Sequence, residues 1–297
     1  MKSKIQILRS LMFVPGHNEK LIDSASKSNA DAILFDLEDS VQPSENKVKA
    51  REIIVAKSKE ERFDRFKKFV RLNEIETEFF LQDVLQVTNA HIDGFLLSKT
   101  NSADDIKYLD NLLTSIERER SFPLGRFTII PILESAESIV NMKEIATSSD
   151  RIIALGFGSE DYVSSIMGVR DFETNLSISY PRQLVPIVAR SFGLEAIDAA
   201  YIHVHDLEGL QRHLETSKIL GYGGMWILHP KQNEMANVVF SPNEHEYSEA
   251  REFLRLYEEA KKINMGVAII NGKFVGPPLV IKSENIIARY EAIRNRS

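Results

Sequence analysis

Short apolar, β-branched-rich runs recur along the chain. Each leads into a longer stretch whose apolar residues fall on one helix face and whose charged residues fill the other. Eight runs are read as strands: Leu11–Val14, Ala32–Phe35, Lys68–Leu72, Gly94–Leu97, Phe127–Leu133, Arg151–Phe157, Ala199–Val204 and Gly224–Leu228. The stretches after them, such as Ser102–Glu117 and Leu207–Leu220, are read as helices. This alternation builds a parallel sheet, and eight strands is the number that closes into a barrel filled by side chains. The expected fold is α/β, a (β/α)8 TIM barrel over residues 1–240. No Gly-x-Gly-x-x-Gly or Walker loop supports an open nucleotide-binding sheet. Residues 241–297 have no place in the barrel wall. A charged helix at Asn243–Ile263, a hairpin signalled by Asn271-Gly272 and a final helix to Asn295 predict a helix-hairpin-helix extension, packing on the barrel or on a neighbouring subunit.

Composition narrows the chemistry. The 297 residues are 43% apolar, enough for one large core, and carry a net charge of −6. That balance gives no general reason to expect nucleic acid or an anionic membrane as partner, so an anionic substrate needs local basic groups. Cysteine is absent, which excludes disulfides, thiolate nucleophiles and Cys-ligated metals. Arg9 interrupts the apolar residues of the basic start and no small-residue cleavage site follows, so it does not read as a secretion signal. No apolar run approaches the roughly 20 residues that span a bilayer. A cytoplasmic protein is expected.

In barrel enzymes the chemistry sits at the carboxyl ends of the strands. There the chain places Pro15, Gly16 and His17, then Asp36, Glu38 and Asp39, then Arg71 and Asn73, Lys99, Glu134, Glu160 and Asp161, His203, His205 and Asp206, and His229. Carboxylates without thiol ligands suit Mg²⁺, which takes one or two protein carboxylates and leaves positions for substrate and water. Glu134 and Asp161, at the ends of successive strands, are the preferred pair. Arg71 can present a planar fork to a substrate carboxylate. Plainer readings stand beside these. Asp161 can cap the following helix, Glu134 can favour a helix N-terminus, and Arg71 can pair with Asp36 or Glu38 in a structural network. Lys99 is a Schiff-base lysine or an ion-paired one, and His203-x-His205 has a zinc-like spacing without an evident third ligand.

Several segments in order carry a family resemblance: RSLMFVPG (Arg9–Gly16), DLEDSV (Asp36–Val41), KVKAR (Lys47–Arg51), VRLN (Val70–Asn73), PILES (Pro131–Ser135), GFGSEDY (Gly156–Tyr162), FGLEAID (Phe192–Asp198), LHPKQ (Leu228–Gln232) and FSPN (Phe240–Asn243). The set resembles citrate lyase β-subunit-like proteins of the HpcH/HpaI aldolase group. The resemblance implies a (β/α)8 barrel with a C-terminal addition, assembled as a homotrimer or homohexamer. It implies cleavage or formation of 3-hydroxy carboxylates or their thioesters, of the citryl, malyl or citramalyl type, with a 2-oxo acid as the small partner. It also implies Mg²⁺ on Glu134 and Asp161, substrate carboxylate on Arg71, and coenzyme A or an acyl carrier near Phe13 and Lys20. One departure stands out. CoA-using members carry an acid–base aspartate just before the closing proline of the tail hairpin, and Gly276 occupies that position here. The segment usually reading PK after the fourth strand is Ser98-Lys99.

The expected activity is therefore a Mg²⁺-dependent carbon–carbon lyase or aldolase, with Glu38, Asp36 or a metal-bound water as proton acceptor and Arg71 in the catalytic set. The alternatives are a catalytically weakened 2-oxo-acid-binding subunit of a larger assembly, motivated by Gly276, and a malyl-CoA-like thioesterase.

Overall fold

The computed structural model describes residues 6–262, 268–270, 273–275 and 277–295. Eight strands, β1 (Ser10–Pro15), β2 (Ala32–Asp36), β3 (Lys67–Leu72), β4 (Gly94–Leu97), β5 (Thr128–Leu133), β6 (Ala154–Phe157), β7 (Glu195–Asp198) and β8 (Gly224–Ile227), form one parallel barrel. Each pairs with its sequence neighbour, and β1 pairs with β8 to close the ring. The connections are helical. Two begin with reciprocal caps, Ser102 with Asp105 and Ser135 with Ser138, which satisfy amide groups that a helix start would otherwise leave orphaned.

The barrel interior explains where polar residues come to lie. Its core includes Leu11, Ala32, Leu34, Phe69, Leu96, Ile130, Ile132, Ala154, Ile197 and Trp226. Side chains alternate along a strand, so the residue two places beyond an interior one also points inward. Stepping by two from these core positions reaches Phe13, Asp36, Arg71, Ser98, Glu134 and Gly158, all at the carboxyl ends of the strands. The period that fills the barrel with hydrocarbon thus ends in a polar layer. Gly156 belongs to the same pattern. A Cβ there would come within 2.0 Å of the Trp226 ring, so the glycine makes room for the indole that plugs the barrel.

One expected strand is displaced. The apolar run Ala199–Val204 is not β7, and residues 199–203 have no regular structure. The strand is Glu195–Asp198, fully buried despite a carboxylate at each end. Each carboxylate is paired: Glu195 with Arg190 at 2.9 Å, and Asp198 with Arg182 at 2.6 Å. Buried charges are tolerated when paired and hydrogen-bonded, and apolar content alone does not register that.

Residues Leu8–Asn237 form one compact unit, and the described residues of 1–7 and 238–297 form a second. In the second, the helices Glu244–Lys262 and Pro277–Arg294 pack together, with the Tyr247 and Tyr290 rings stacked at 4.2 Å. Between them β9 (Ala268–Ile270) and β10 (Lys273–Val275) pair antiparallel, as the hairpin signal predicts. The Asn271-Gly272 turn itself and Gly276 lie outside the described residues. Among the described residues no helix is long and apolar enough to cross a membrane.

Candidate active site

The polar layer is built around Arg71. Register places Asp36 of β2 beside Arg71 of β3, and the two meet in a bidentate pair, Nε to Oδ1 at 2.7 Å and Nη2 to Oδ2 at 2.6 Å. The remaining amino group, Nη1, lies 2.9 Å from Glu38 Oε2 and 3.5 Å from Asp39 Oδ2. Phe13 supports the guanidinium from one face, 4.8 Å from ring centroid to Cζ, and leans on Trp226. The fork expected to grip a substrate carboxylate is therefore already closed on Asp36 along its Nε–Nη2 edge. Burial disfavours the Arg71 cation, but the surrounding charges of Asp36, Glu38 and Asp39 hold it protonated well above its ordinary range.

Asp36 and Glu38 differ sharply although only Leu37 separates them. Asp36 is 1% exposed and accepts from Arg71, the Glu38 amide at 2.9 Å, the Ser40 amide at 3.3 Å and the Ser40 hydroxyl. Burial pushes its carboxyl up, yet the Arg71 charge and these donors outweigh it and hold the group below the usual range. Such a carboxylate is a fixed anion. Glu38 has no comparable support. Its Oε2 meets Arg71 and the Ser98 hydroxyl at 3.0 Å, while Oε1 is buried with no hydrogen-bond partner among the described residues. Burial, with Asp39 and Asp36 adding repulsion against the pull of Arg71, pushes Glu38 up to about 7.

Glu134 follows β5 and is 6% exposed. It is not a helix cap, because Ser135 fills that role. Its Oε1 accepts the Lys99 amide at 2.6 Å, an amide aimed there by the left-handed backbone of Lys99 at φ 45°. Its Oε2 has no protein donor among the described residues. Gly158 keeps that side open: a Cβ there would lie 2.7 Å from Glu134 Oε2. Burial and the neighbouring charges of Glu38 and Asp161 push Glu134 up to about 8, against the Lys99 amide and Arg71. Asp161 is exposed in the first turn of the helix Ser159–Ser165, whose cap is Gly158, and makes no hydrogen bond or ion pair among the described residues. Its charge is nevertheless felt at Glu134. Two carboxylates with open oxygens fit a hard cation that completes its shell with water or substrate. No group of three or more His, Asp or Glu is placed to hold a metal ion among the described residues, so the zinc-like spacing of His203 and His205 finds no third ligand. His203 instead packs edge-on against Phe172 and Tyr201. The Lys99 ammonium pairs with Glu74, which raises its pKa and makes it a poor imine-forming amine.

Lys20 is exposed on the helix Glu19–Ala25 and makes no ion pair among the described residues. Sequence reasoning missed a buried support beneath the acidic loop. Lys47 donates to the carbonyls of Leu37 at 2.8 Å and Glu38 at 3.0 Å, and to Asn73. Asn73 in turn donates to Asp83, which accepts from Arg51 at 2.7 Å. The KVKAR segment thus fixes the backbone from which Asp36 and Glu38 project. Charged residues in a helical stretch read as a solvated face, and only their spatial partners reveal otherwise.

The model of the HpcH/HpaI aldolase/citrate lyase family matches residues 9–230. The chain belongs to that family. Within the HpcH/HpaI aldolase/citrate lyase family it is 32% identical to citrate lyase subunit beta of Leuconostoc mesenteroides subsp. cremoris, covering 95% of this chain and 93% of the relative. It is 30% identical to (3S)-malyl-CoA thioesterase of Cereibacter sphaeroides, covering 96% and 95%. Its fold matches a citrate lyase from Burkholderia xenovorans LB400 with a TM-score of 0.85 at 17% identity, covering 99% of this chain and 94% of that one. It also matches CitE of Mycobacterium tuberculosis, solved with magnesium, acetoacetate and coenzyme A, with a TM-score of 0.74 at 22% identity, covering 95% and 97%. The family-matched span contains Asp36, Glu38, Arg71, Glu134 and Asp161.

Proposed function

We propose that this chain is a Mg²⁺-dependent carbon–carbon lyase that cleaves or forms a 3-hydroxy carboxylate or its acyl thioester, with a 2-oxo acid as the small partner. The observation that carries the reading is the polar layer itself: a fully ionised Arg71 beside two buried carboxyl groups, Glu38 and Glu134, each with an oxygen that no donor among the described residues satisfies. Glu134 and Asp161 would hold the metal. Bound Mg²⁺ supplies Lewis-acid polarisation of the oxygen on the carbon being cleaved.

The chain's own residues divide the remaining work. Arg71 Nη1, exchanging its 3.5 Å contact with Asp39 for the substrate carboxylate, orients the substrate, and Asp36 positions Arg71 without exchanging protons. In the cleavage direction Glu38 Oε1 takes the hydroxyl proton, the C–O bond becomes a carbonyl, and the C–C electron pair passes to the acyl fragment. Glu38 then returns the proton to that fragment's carbon. A carboxyl held near 7 suits both halves of this cycle. Gly276 cannot transfer protons, which leaves the task to groups of the barrel. Lys20 is the proposed contact for an anionic thioester carrier such as coenzyme A, entering past Phe13. The expected setting is cytoplasmic, and the expected assembly is a homotrimer or homohexamer.

The relative named (3S)-malyl-CoA thioesterase favours a second reading, hydrolysis of the thioester. The test is calorimetry of the Mg²⁺-loaded protein with pyruvate, oxaloacetate and glyoxylate, repeated on Glu134→Ala and Arg71→Ala, followed by product analysis on hydroxyacyl thioesters. Metal-dependent binding lost in both variants, with release of a 2-oxo acid, is expected. Free thiol with an intact hydroxy acid would establish hydrolysis instead, and no binding of any oxo acid by the intact protein would overturn the assignment.

A further inference from the structure

A cavity of about 420 Å³ lies away from the polar layer, between the helices Leu176–Ser191 and Leu207–Leu220 and under the loop 168–175. Its volume is within the range of small-molecule sites. Three arginines line it, Arg170, Arg182 and Arg212, against one carboxylate, Glu173, among the described residues.

The three differ in how far their charge is spent. Arg182 is 4% exposed and reaches Asp198 through Nε and Nη2, and His213 and Ser217 through Nη2. Its Nη1 has no partner among the described residues, so a buried guanidinium keeps two N–H donors free. Asp198 is saturated in turn, accepting also from Ser217 at 2.5 Å and the Ala199 amide at 2.8 Å, and cannot swing to meet them. Arg212 is exposed and makes no ion pair among the described residues. Arg170 stacks on Phe172 at 4.3 Å, pairs through Nε with Glu160 at 3.1 Å and donates through Nη1 to the Asp171 carbonyl and Asn175 Oδ1 at 2.9 and 3.0 Å, which leaves Nη2 without a partner among the described residues. The loop that carries it is pinned by Asp171, which accepts from the Glu173 and Thr174 amides. Donors fixed in place without a ligand are what anion recognition requires, because little ordering remains to be done on binding.

From this geometry we infer a second binding site, for a small polyanion bearing carboxylate or phosphate groups, with Arg182 Nη1 at its floor and Arg170 and Arg212 at its rim. It is distinct from the proposed catalytic layer, and Arg71 takes no part in it.

The test is calorimetric titration of the full chain in EDTA with two probes, tricarballylate for a carboxylate ligand and inorganic pyrophosphate for a phosphate one. EDTA removes metal-dependent binding at the polar layer. Arg71→Ala keeps the affinity of the intact protein, whereas Arg212→Ala, an exposed change, and Arg170→Ala each weaken the better probe about tenfold or more. The probe that binds identifies the anion class. Saturable binding that survives both rim variants, binding that Arg71→Ala abolishes, or no binding of either probe would each overturn the proposal.

Discussion

Two strand-end aspartates in this barrel hold an arginine in the same way and lead to opposite surroundings. Asp36 ends β2 and grips Arg71 through two nitrogens; Asp198 ends β7 and grips Arg182 through two nitrogens. Both carboxylates are fully buried, both are saturated with donors, and both are held ionised below the usual range despite burial. The difference lies in what is left over. Around Asp36–Arg71 the excess is acceptors: Glu38 Oε1 and Glu134 Oε2 have no donor among the described residues, and both carboxyls are pushed up. Around Asp198–Arg182 the excess is donors, and His213 beside the pair is pushed down to about 4 by burial and the Arg182 charge, against the pull of Asp198. A buried ion pair says little about function by itself. The sign of the unsatisfied remainder says more, since surplus acceptors invite a cation or a proton and surplus donors invite an anion.

The largest effects should separate the two clusters by kind. Glu38→Gln keeps the shape and removes the proton acceptor, so kcat should fall by about 10²- to 10⁴-fold. The urea midpoint of the same variant at pH 8 should be unchanged or higher, because an ionised Glu38 is poorly supported there. Asp198→Asn strands Arg182 in the interior and should cost about 3–5 kcal/mol of stability. Steady-state rates beside urea titrations of both variants check this, and a Glu38→Gln protein that unfolds early while keeping its rate would collapse the distinction.

Much of the first cluster is legible in the chain, and little of the second is. The strand-end position of Asp36, Glu38, Arg71 and Glu134 follows from counting by two out of an apolar run, since the same alternation governs core and polar layer. What pairing does to those residues does not follow: the closure of Arg71 on Asp36, rather than on open space, depends on the register between β2 and β3. At β7 the alternation misleads, because Glu195 and Asp198 break the apolar run and Ala199–Val204 offers a better one. Their partners, Arg190 and Arg182, come from the preceding helix and are identified only by contact. Lys47 and Ser98 escape for the same reason, one resembling a solvated helix lysine and the other an ordinary loop serine.

Next in size is a pH dependence of opposite sign in the two clusters. A carboxyl raised in the folded state binds its proton before the unfolded chain does. Glu38, at about 7 against an ordinary 4.5, therefore contributes full stability at the acid end, lost as pH rises from about 4.5 to about 7. His213, at about 4 against 6.5, stays neutral in the fold while the unfolded chain takes up a proton. Its contribution is full above about 6.5 and is lost as pH falls toward 4. Each group should tilt the unfolding free energy by at most about 1.4 kcal/mol per pH unit within its window. Urea titrations in EDTA from pH 4 to 8, each compared with the parent, should show stability falling less with pH between about 4.5 and 7 in Glu38→Gln, and rising less with pH between about 4 and 6.5 in His213→Gln. Unchanged slopes would mean that neither group carries the linkage.

The smallest expected effect probes the hinge between structure and chemistry within the first cluster. The Ser98 hydroxyl is within reach of both Glu38 Oε2, at 3.0 Å, and the Leu72 carbonyl, at 3.1 Å, but has a single proton to give. When it donates to Glu38 it favours the ionised carboxylate, which is why it lowers that group's pKa against burial. When Glu38 is protonated, the carboxyl can donate to the hydroxyl instead, and the hydroxyl turns to Leu72. Ser98→Ala removes both arrangements and should shift the Glu38 limb of the kcat/KM profile to higher pH. The size should be that of one neutral-to-charged hydrogen bond, about 1.5–3 kcal/mol at most and less after solvent or metal compensates. Rates well above the limb should change little, since arginine, metal ligands and Glu38 all remain. A shift to lower pH, or a uniform loss at every pH, would mean that the hydroxyl serves the Leu72 carbonyl and the loop rather than the proton on Glu38.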